Sequence, residues 1–440
     1  MSSSGNAGSF SVPFGRGSIT FDLPAGVSGT TVASRDLPPL ADPAAAAHDA
    51  VARPVSGPRL RDLAAGAGSV VIAVTDATRA CPDHLLVPPM LAELHAAGVA
   101  PEQVTIIVAV GAHRASTDEE KRQKLGSEII DRYRVIDHNA EDDAGLVAVM
   151  VGPGGIPFRL NRTLVEADLV LATGVVEPHQ YAGYSGGAKT ATIGCGDNAT
   201  IAYTHGPAML DQPGTRLARI DGNPFQAAVR EVGAAAGLRF VGNAVLDDAY
   251  RPVAVAYGPP DLVHDHLVEV ASAMYTVPIP AQVDIAVAGV GYPKDANLYQ
   301  TSRAASYLQF APTPVVRKGG VVILPAACPE GAGEGAGEQR FLAAMSAPGG
   351  PAAVVERARR DGIRPGEQRA FVMARVLEDV EIIVAGVEDP SIARAVGFRA
   401  APDLDAALAE AVRIVGTPAT AVVVPHALLT LPVVAAPVPV

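Results

Sequence analysis

The sequence predicts an α/β protein of two α/β domains whose parallel-rich sheets flank an active-site cleft, and three observations carry that expectation. Short β-branched runs alternate with helical stretches from about residue 69 to the end of the chain. The 440 residues, 49% hydrophobic and 18% charged, suffice for more than one buried core. Near residue 275 the stretch Val277-Pro-Ile-Pro-Ala-Gln282 interrupts the alternation before it resumes, which divides the chain into residues 1–275 and 276–440.

Residues up to about Gly17 are small and polar, and Ser18-Ile-Thr-Phe-Asp-Leu23 alternates as an exposed strand does, so the ordered chain is expected to start there. Val70-Val-Ile-Ala-Val-Thr75 and Val104-Thr-Ile-Ile-Val-Ala-Val110 are continuous apolar runs with a helical stretch at 86–97 between them. That is the pattern of a β-α-β unit in a buried parallel sheet. Thr117-Asp-Glu-Glu120 has the form of a capping box opening a helix to about Arg132, and a strand follows at 133–136. Asp168-Leu-Val-Leu-Ala-Thr173 reads as another strand. In the second part, strands are expected at 283–288, 320–324, 381–385 and 421–424, with helices at about 353–360, 368–378 and 404–415. Residues 325–337, carrying Gly331, Gly333, Gly335 and Gly337, read as a mobile loop beside the cleft.

Charge and cysteine usage narrow the function classes. A formal net charge of −12 offers no basic footprint for a phosphate backbone, so no nucleic-acid partner is expected. Cys81, Cys195 and Cys328 lack the CxxC spacing of a zinc knuckle and make an odd set for disulfides, which suits a reducing cytoplasm. The sequence opens without a basic-then-apolar leader, and no apolar run is long enough to span a bilayer, so no membrane association is expected.

Chemistry concentrates at strand ends. Asp76-Ala-Thr-Arg79, Gly111-Ala-His-Arg114 and the stretch from Glu177-Pro-His179 to Ser185-Gly-Gly-Ala-Lys189 each follow an expected strand, where ligands collect in open α/β sheets. Gly183-Tyr-Ser-Gly-Gly-Ala-Lys-Thr190 approaches the phosphate-binding loop, but Ala188 stands where that loop needs glycine and no long helix follows. Its backbone amides could still form an anion nest. His113 and His179 are placed to face a common substrate as base and acid. His205 is a possible metal ligand, yet no second ligand stands at i+4, so other ligands must come from elsewhere. Arg79 suits bidentate grip of a carboxylate or phosphate. Tyr299, Gln300 and Arg303 share one face of a helix in the second domain.

Taken together, these motifs resemble the lactate racemase family, with Gly15-Arg-Gly-Ser-Ile-Thr-Phe21, Asp137-His-Asn139, His205, Gly222-Asn-Pro224 and Tyr299-Gln300 extending the likeness over nearly the whole chain. The resemblance implies an isomerase, a racemase or epimerase of a small 2-hydroxy acid, that uses a nickel-pincer nucleotide (Ni(II)-pyridinium-3,5-bisthiocarboxylic acid mononucleotide). It implies covalent attachment through Lys189, nickel coordination by His205, and cofactor contacts from Asp76, Ala77, Thr78, Arg79 and Tyr299. Arg79, Gln300 and Arg303 would hold the substrate. His113 and His179 would exchange acid and base roles while the Cα hydride moves to the cofactor and back. Proteins that make the pincer nucleotide are implied as partners in maturation.

Three positions depart from the family pattern. Arg303 stands where a lysine is usual, Ala80 where proline follows the Asp-x-Thr-Arg motif, and Ile193-Gly194 where Pro-Gly follows the lysine loop. The first changes reach and fork geometry at the substrate carboxylate, which leaves the choice of 2-hydroxy acid open. The rival reading is a non-catalytic binding protein that captures a small anion in the same cleft. An NAD-type oxidoreductase ranks below both, because no GxGxxG follows a strand.

Overall fold

A computed structural model describes residues 9–364 and 366–435. Val70–Thr75 and Val104–Ala109 are buried at every position, as strands covered on both faces must be. They belong to a six-stranded sheet of order Arg134–Asp137, Val104–Ala109, Val70–Thr75, Leu169–Val175, Leu238–Leu246 and Pro252–Gly258. Every neighbouring pair is parallel except the last. Successive strands run outward from Val70–Thr75 on one side and from Leu169–Val175 on the other, so the order reverses between these two. Such a reversal opens a crevice beyond the carboxyl ends of the two strands, and there lie the loops beginning at Asp76 and Glu177.

The second sheet also has six strands, all parallel: Arg399–Ala401, Glu381–Ala385, Val316–Pro325, Val283–Ala288, Ala419–Val424 and Val27–Thr31. Its last strand comes from the N-terminal region, so residues 1–275 do not lie wholly with the first sheet. Gly29 explains the seat of that strand, because a Cβ there would stand 3.0 Å from the Ala421 carbonyl oxygen and 2.6 Å from Leu23. Before it, Phe10–Phe14 and Gly17–Phe21 form an antiparallel hairpin that buries Val12 and Phe21 in the second sheet's core. The ordered chain thus begins earlier than residue 18; residues 1–8 lie outside the described residues.

Strand period explains how the domains join. Ile72 and Val74 face one apolar cluster, Ile285 and Val287 another, while the alternate residues Val71, Ala73, Ala286 and Ala288 belong to a single cluster shared by both sheets. The cleft is therefore walled by two domains with a continuous core. One expected helix is divided: Asp118–Leu125 and Ser127–Arg132 break at Gly126, whose φ of +86° no helix accommodates. No described helix is long and apolar enough to cross a membrane.

Candidate active site

A cavity of about 760 Å³ fills the crevice between the two sheets. The Asp76, Gly111 and Glu177 loops wall it on one side, and Tyr299, Gly335, Gly337, Arg340, Ile363, Arg364, Gly366 and Gln368 close it from the second domain. Asp76, Thr78, Arg79, His113, His179, Lys189, His205 and Tyr299 all line it. Ala77, Gln300 and Arg303 stand off the wall. Arg303 donates instead to Gln300 Oε1 at 3.2 Å and to the Tyr307 hydroxyl at 3.3 Å, packed beside the His179 segment.

The lysine loop holds its shape by packing. Gly183, Gly186 and Gly187 all have positive φ, and Cβ atoms there would stand 2.0 Å from the Arg219 carbonyl oxygen, 2.6 Å from Val176 and 3.1 Å from His264. Three of the amides that an anion nest in this turn could draw on already have partners. The N–H groups of Ser185, Gly187 and Lys189 are committed to Glu177 O, Asn243 Oδ1 and Gly186 O. The helix that follows has only four residues, Lys189–Thr192, which removes the phosphate-loop alternative. Lys189 is left facing the cavity, surrounded by protein. Burial, and then the charge of Arg79, push its pKa down to about 7 against the opposing pull of Glu177 and Asp76.

Each histidine of the cavity has its tautomer set by a different neighbour. His113 lies at the rim, its side chain 53% exposed, with Nδ1 2.7 Å from Asp76 Oδ2. Burial would raise the Asp76 pKa, but hydrogen bonds from His113 and Thr78 and the charge of Arg79 bring it below the usual value. An ionised carboxylate only accepts, so His113 donates through Nδ1 and leaves Nε2 as a base. His179 is the converse. Its Nδ1 accepts from the Tyr181 and Ala182 N–H groups at 3.2 and 3.1 Å, so the neutral ring carries its proton on Nε2. Burial and the charge of Lys189 hold its pKa well below the ordinary value.

His205 sits at the end of the helix Asn198–His205, and its Nδ1 donates back to Ile201 O at 3.1 Å with the Thr204 hydroxyl 3.0 Å away. Burial and Lys189 lower its pKa to about 3, so Nε2 keeps its lone pair at any physiological pH. A carbonyl behind one ring nitrogen is how metal-binding imidazoles are oriented. Among the described residues no group of three His, Cys, Asp or Glu side chains could hold a metal by itself. His138 is structural: it is buried, and its Nε2 donates to Gly196 O at 3.0 Å.

Of the second-domain wall, the sequence marks Tyr299 and the glycine stretch at 325–337, and leaves the rest unmarked. Arg340, Arg364 and Gln368 lie around later helices rather than at a strand end, and no motif marks them. Glu177 was visible only as part of a motif. Its charge opposes the lowering of the Lys189 and Lys294 pKa values that burial and nearby guanidinium groups cause.

With this arrangement in view, the comparisons with known proteins decide the family. The Lactate racemase N-terminal domain matches residues 14–218, and the Lactate racemase C-terminal domain matches residues 278–431. The chain belongs to the lactate racemase family. Lactate racemase of Thermoanaerobacterium thermosaccharolyticum is 28% identical over 385 residues, covering 85% of this chain and 87% of the relative. Lactate racemase of Lactiplantibacillus plantarum is 29% identical over 381 residues with the same coverage. The structure of the lactate racemase apoprotein from T. thermosaccharolyticum superposes with a TM-score of 0.86 at 27% identity, over 97% of this chain and all of that one. A Thermotoga maritima protein shares the fold at TM-score 0.61 and 19% identity, over 86% of this chain and 98% of its own. Lactate racemase family members are isomerases, and membership sets aside the non-catalytic binding-protein reading.

Proposed function

We propose that the chain racemises or epimerises a lactate-like 2-hydroxy acid, with a nickel-pincer nucleotide held by Lys189 and His205 and with His113 and His179 moving protons. One observation carries the reading: a single cavity brings together an amine of pKa about 7, an imidazole fixed as a neutral Nε2 donor ligand, and two further imidazoles of opposite hydrogen-bonding sense.

The residues fit the cofactor on two counts. Attachment through an acyl or thioacyl carbon needs a neutral amine, and Lys189 supplies one near neutral pH. The other ligands of a metal bound at His205 must come from a non-protein group, because the described protein offers no set of its own. An imidazole is a suitable ligand for nickel, and His205 would supply it while the cofactor supplied the remaining donors. When bound, the cofactor supplies an acceptor for the substrate Cα hydrogen and its electron pair.

The chain's own residues do the rest. Arg79 makes no ion pair among the described residues and is free to take the substrate carboxylate. His113 Nε2, its ring held by Asp76, receives the hydroxyl proton. His179 presents Nε2–H to the oxygen on the other side. Arg303 adds a second cation behind His179, and its charge is felt there. Tyr299 and the glycine-lined wall of the second domain exclude water.

The test is chiral analysis of L-lactate and of larger 2-hydroxy acids incubated with protein matured in the presence of nickel and the pincer-nucleotide biosynthetic proteins. Interconversion of enantiomers or epimers of at least one is expected. Failure across the panel, with cofactor demonstrably loaded, contradicts the proposal.

A further inference from the structure

Behind the cavity wall, and reaching it at Thr75, lies a buried polar cluster to which the proposed reaction assigns no role. Asp83 is fully buried, with 0% of its surface exposed. Its Oδ2 accepts from the Thr75 hydroxyl at 2.7 Å and from Lys124 Nζ at 3.0 Å, while Oδ1 accepts from the Thr173 hydroxyl and from Cys81 Sγ, the latter at 3.5 Å. Thr75 ends the strand Val70–Thr75 and Thr173 lies near the end of Leu169–Val175. One carboxylate therefore ties together the two strand ends between which the sheet order reverses.

Lys124 completes the cluster from the helix Asp118–Leu125. Besides Asp83, its ammonium donates to Arg79 O at 2.8 Å and to Cys81 O at 2.7 Å, so all three N–H bonds are used. These carbonyls bracket Ala80 in a stretch, residues 77–80, that is otherwise exposed. Its other internal restraints are the Arg79 N–H on Asp76 O and the Thr78 hydroxyl on Asp76 Oδ1. The helix itself is held down by its capping box, by Arg114 on Glu120 and by Lys121 on Asp137 at 2.6 Å.

We infer that Lys124 and Asp83 are positioning residues, which clamp the loop between Asp76 and Cys81 so that Arg79 faces the substrate and Asp76 faces His113. A buried ion pair is weak evidence for stability, since desolvation offsets most of its attraction. What an apolar pair could not supply is two donors aimed at backbone carbonyls on either side of an exposed loop. The inference rests on the proposed role of Arg79, so its test needs a readout that does not depend on racemisation.

Cys81 provides that readout. It is buried against Asp83, and burial together with the carboxylate's charge keeps its thiol protonated, so iodoacetamide should reach it slowly. Cys195 and Cys328, buried elsewhere, serve as internal references. In Lys124→Met the Cys81 alkylation rate, followed by peptide mass spectrometry, should rise at least about tenfold while Cys195 and Cys328 stay unchanged. In the holoenzyme the KM for the 2-hydroxy acid it turns over should rise at least about tenfold, more than kcat falls, with Lys124→Arg recovering most of both. Unchanged Cys81 alkylation in Lys124→Met overturns the inference, as does a parallel rise at all three cysteines, which marks general unfolding. A loosened Cys81 with unchanged kinetics on that 2-hydroxy acid also overturns it. If the wild-type holoenzyme turns over no 2-hydroxy acid, the proposed function fails and the Cys81 measurement still decides the clamp.

Discussion

Burial turns Lys189, His179 and His205 into neutral reagents near neutral pH. The Lys189 pKa falls from 10.5 to about 7, so amine-reactive reagents should label this residue half-maximally near pH 7, well below solvent-exposed lysines. Peptide mapping after brief acylation of the apoprotein across pH 6 to 10 checks this. The same depression has a stability sign. Between about pH 7 and 10.5 the unfolded chain binds a proton at Lys189 that the native chain does not, so stability rises with pH through that window and the penalty is fully present below it. Lys189→Met should therefore melt higher than wild type at neutral pH, with the gap closing toward pH 10.5. The neighbouring Asp76 acts through its hydrogen bond to His113. Asp76→Asn leaves the acceptor oxygen but allows the wrong imidazole tautomer, and kcat should fall by about 10²- to 10⁴-fold with the fold intact by circular dichroism. Sequence position at strand ends was enough to place His113, His179 and Lys189 around one cavity. It could not reveal that the two histidines are held in opposite tautomers, because backbone amides of residues 181 and 182 set one and a carboxylate 37 residues upstream sets the other.

The loop that carries Lys189 depends on a strand whose own pattern conceals it. Val70–Thr75, Val104–Ala109 and Leu169–Val175 announce themselves as β-branched runs, but Leu238–Leu246 contains Gly242 and Asn243 at its centre and carries no such signal. Both breaks have a use. A Cβ on Gly242 would stand 2.4 Å from the Tyr257 ring, and the fully buried Asn243 takes the Gly187 N–H at 2.7 Å. Local rules fail here because the strand supports the site. The glycine turn should be correspondingly intolerant. Gly183→Ala places a side chain at φ +77° against the Arg219 carbonyl, and should destabilise the protein by at least about 2 kcal/mol by thermal or denaturant unfolding. The departure at Gly126 is of a simpler kind: a capping box marks where a helix starts and says nothing of where a left-handed glycine will end it.

At the scale of the whole molecule the two sheets share one apolar core, and a few polar links fix the width of the cleft. Asp211 of the first domain receives Arg359 and Arg375 of the second, Leu217 N–H bonds Phe310 O at 2.9 Å, and the buried Arg369 reaches Gln180, the residue after His179, at 3.2 Å. Asp211→Ala should loosen closure and raise KM several-fold with little change in kcat, a split that steady-state kinetics on the matured enzyme would show. The two-sheet architecture was legible from strand and helix alternation. The exchange of Val27–Thr31 into the second sheet was not, since a short polar strand with a central glycine has no apolar face to announce its partner. Nor were Arg340, Arg364 and Gln368 of the cavity's far wall, which only the tertiary fold brings beside Tyr299 and the glycine stretch.

The central claim is that Lys189 carries the cofactor. Protein produced with nickel and the pincer-nucleotide biosynthetic proteins should yield, on peptide mass spectrometry, a Lys189 segment with a cofactor-sized adduct, and the intact protein should contain nickel that Lys189→Ala lacks. An unmodified Lys189 under those conditions would contradict the account.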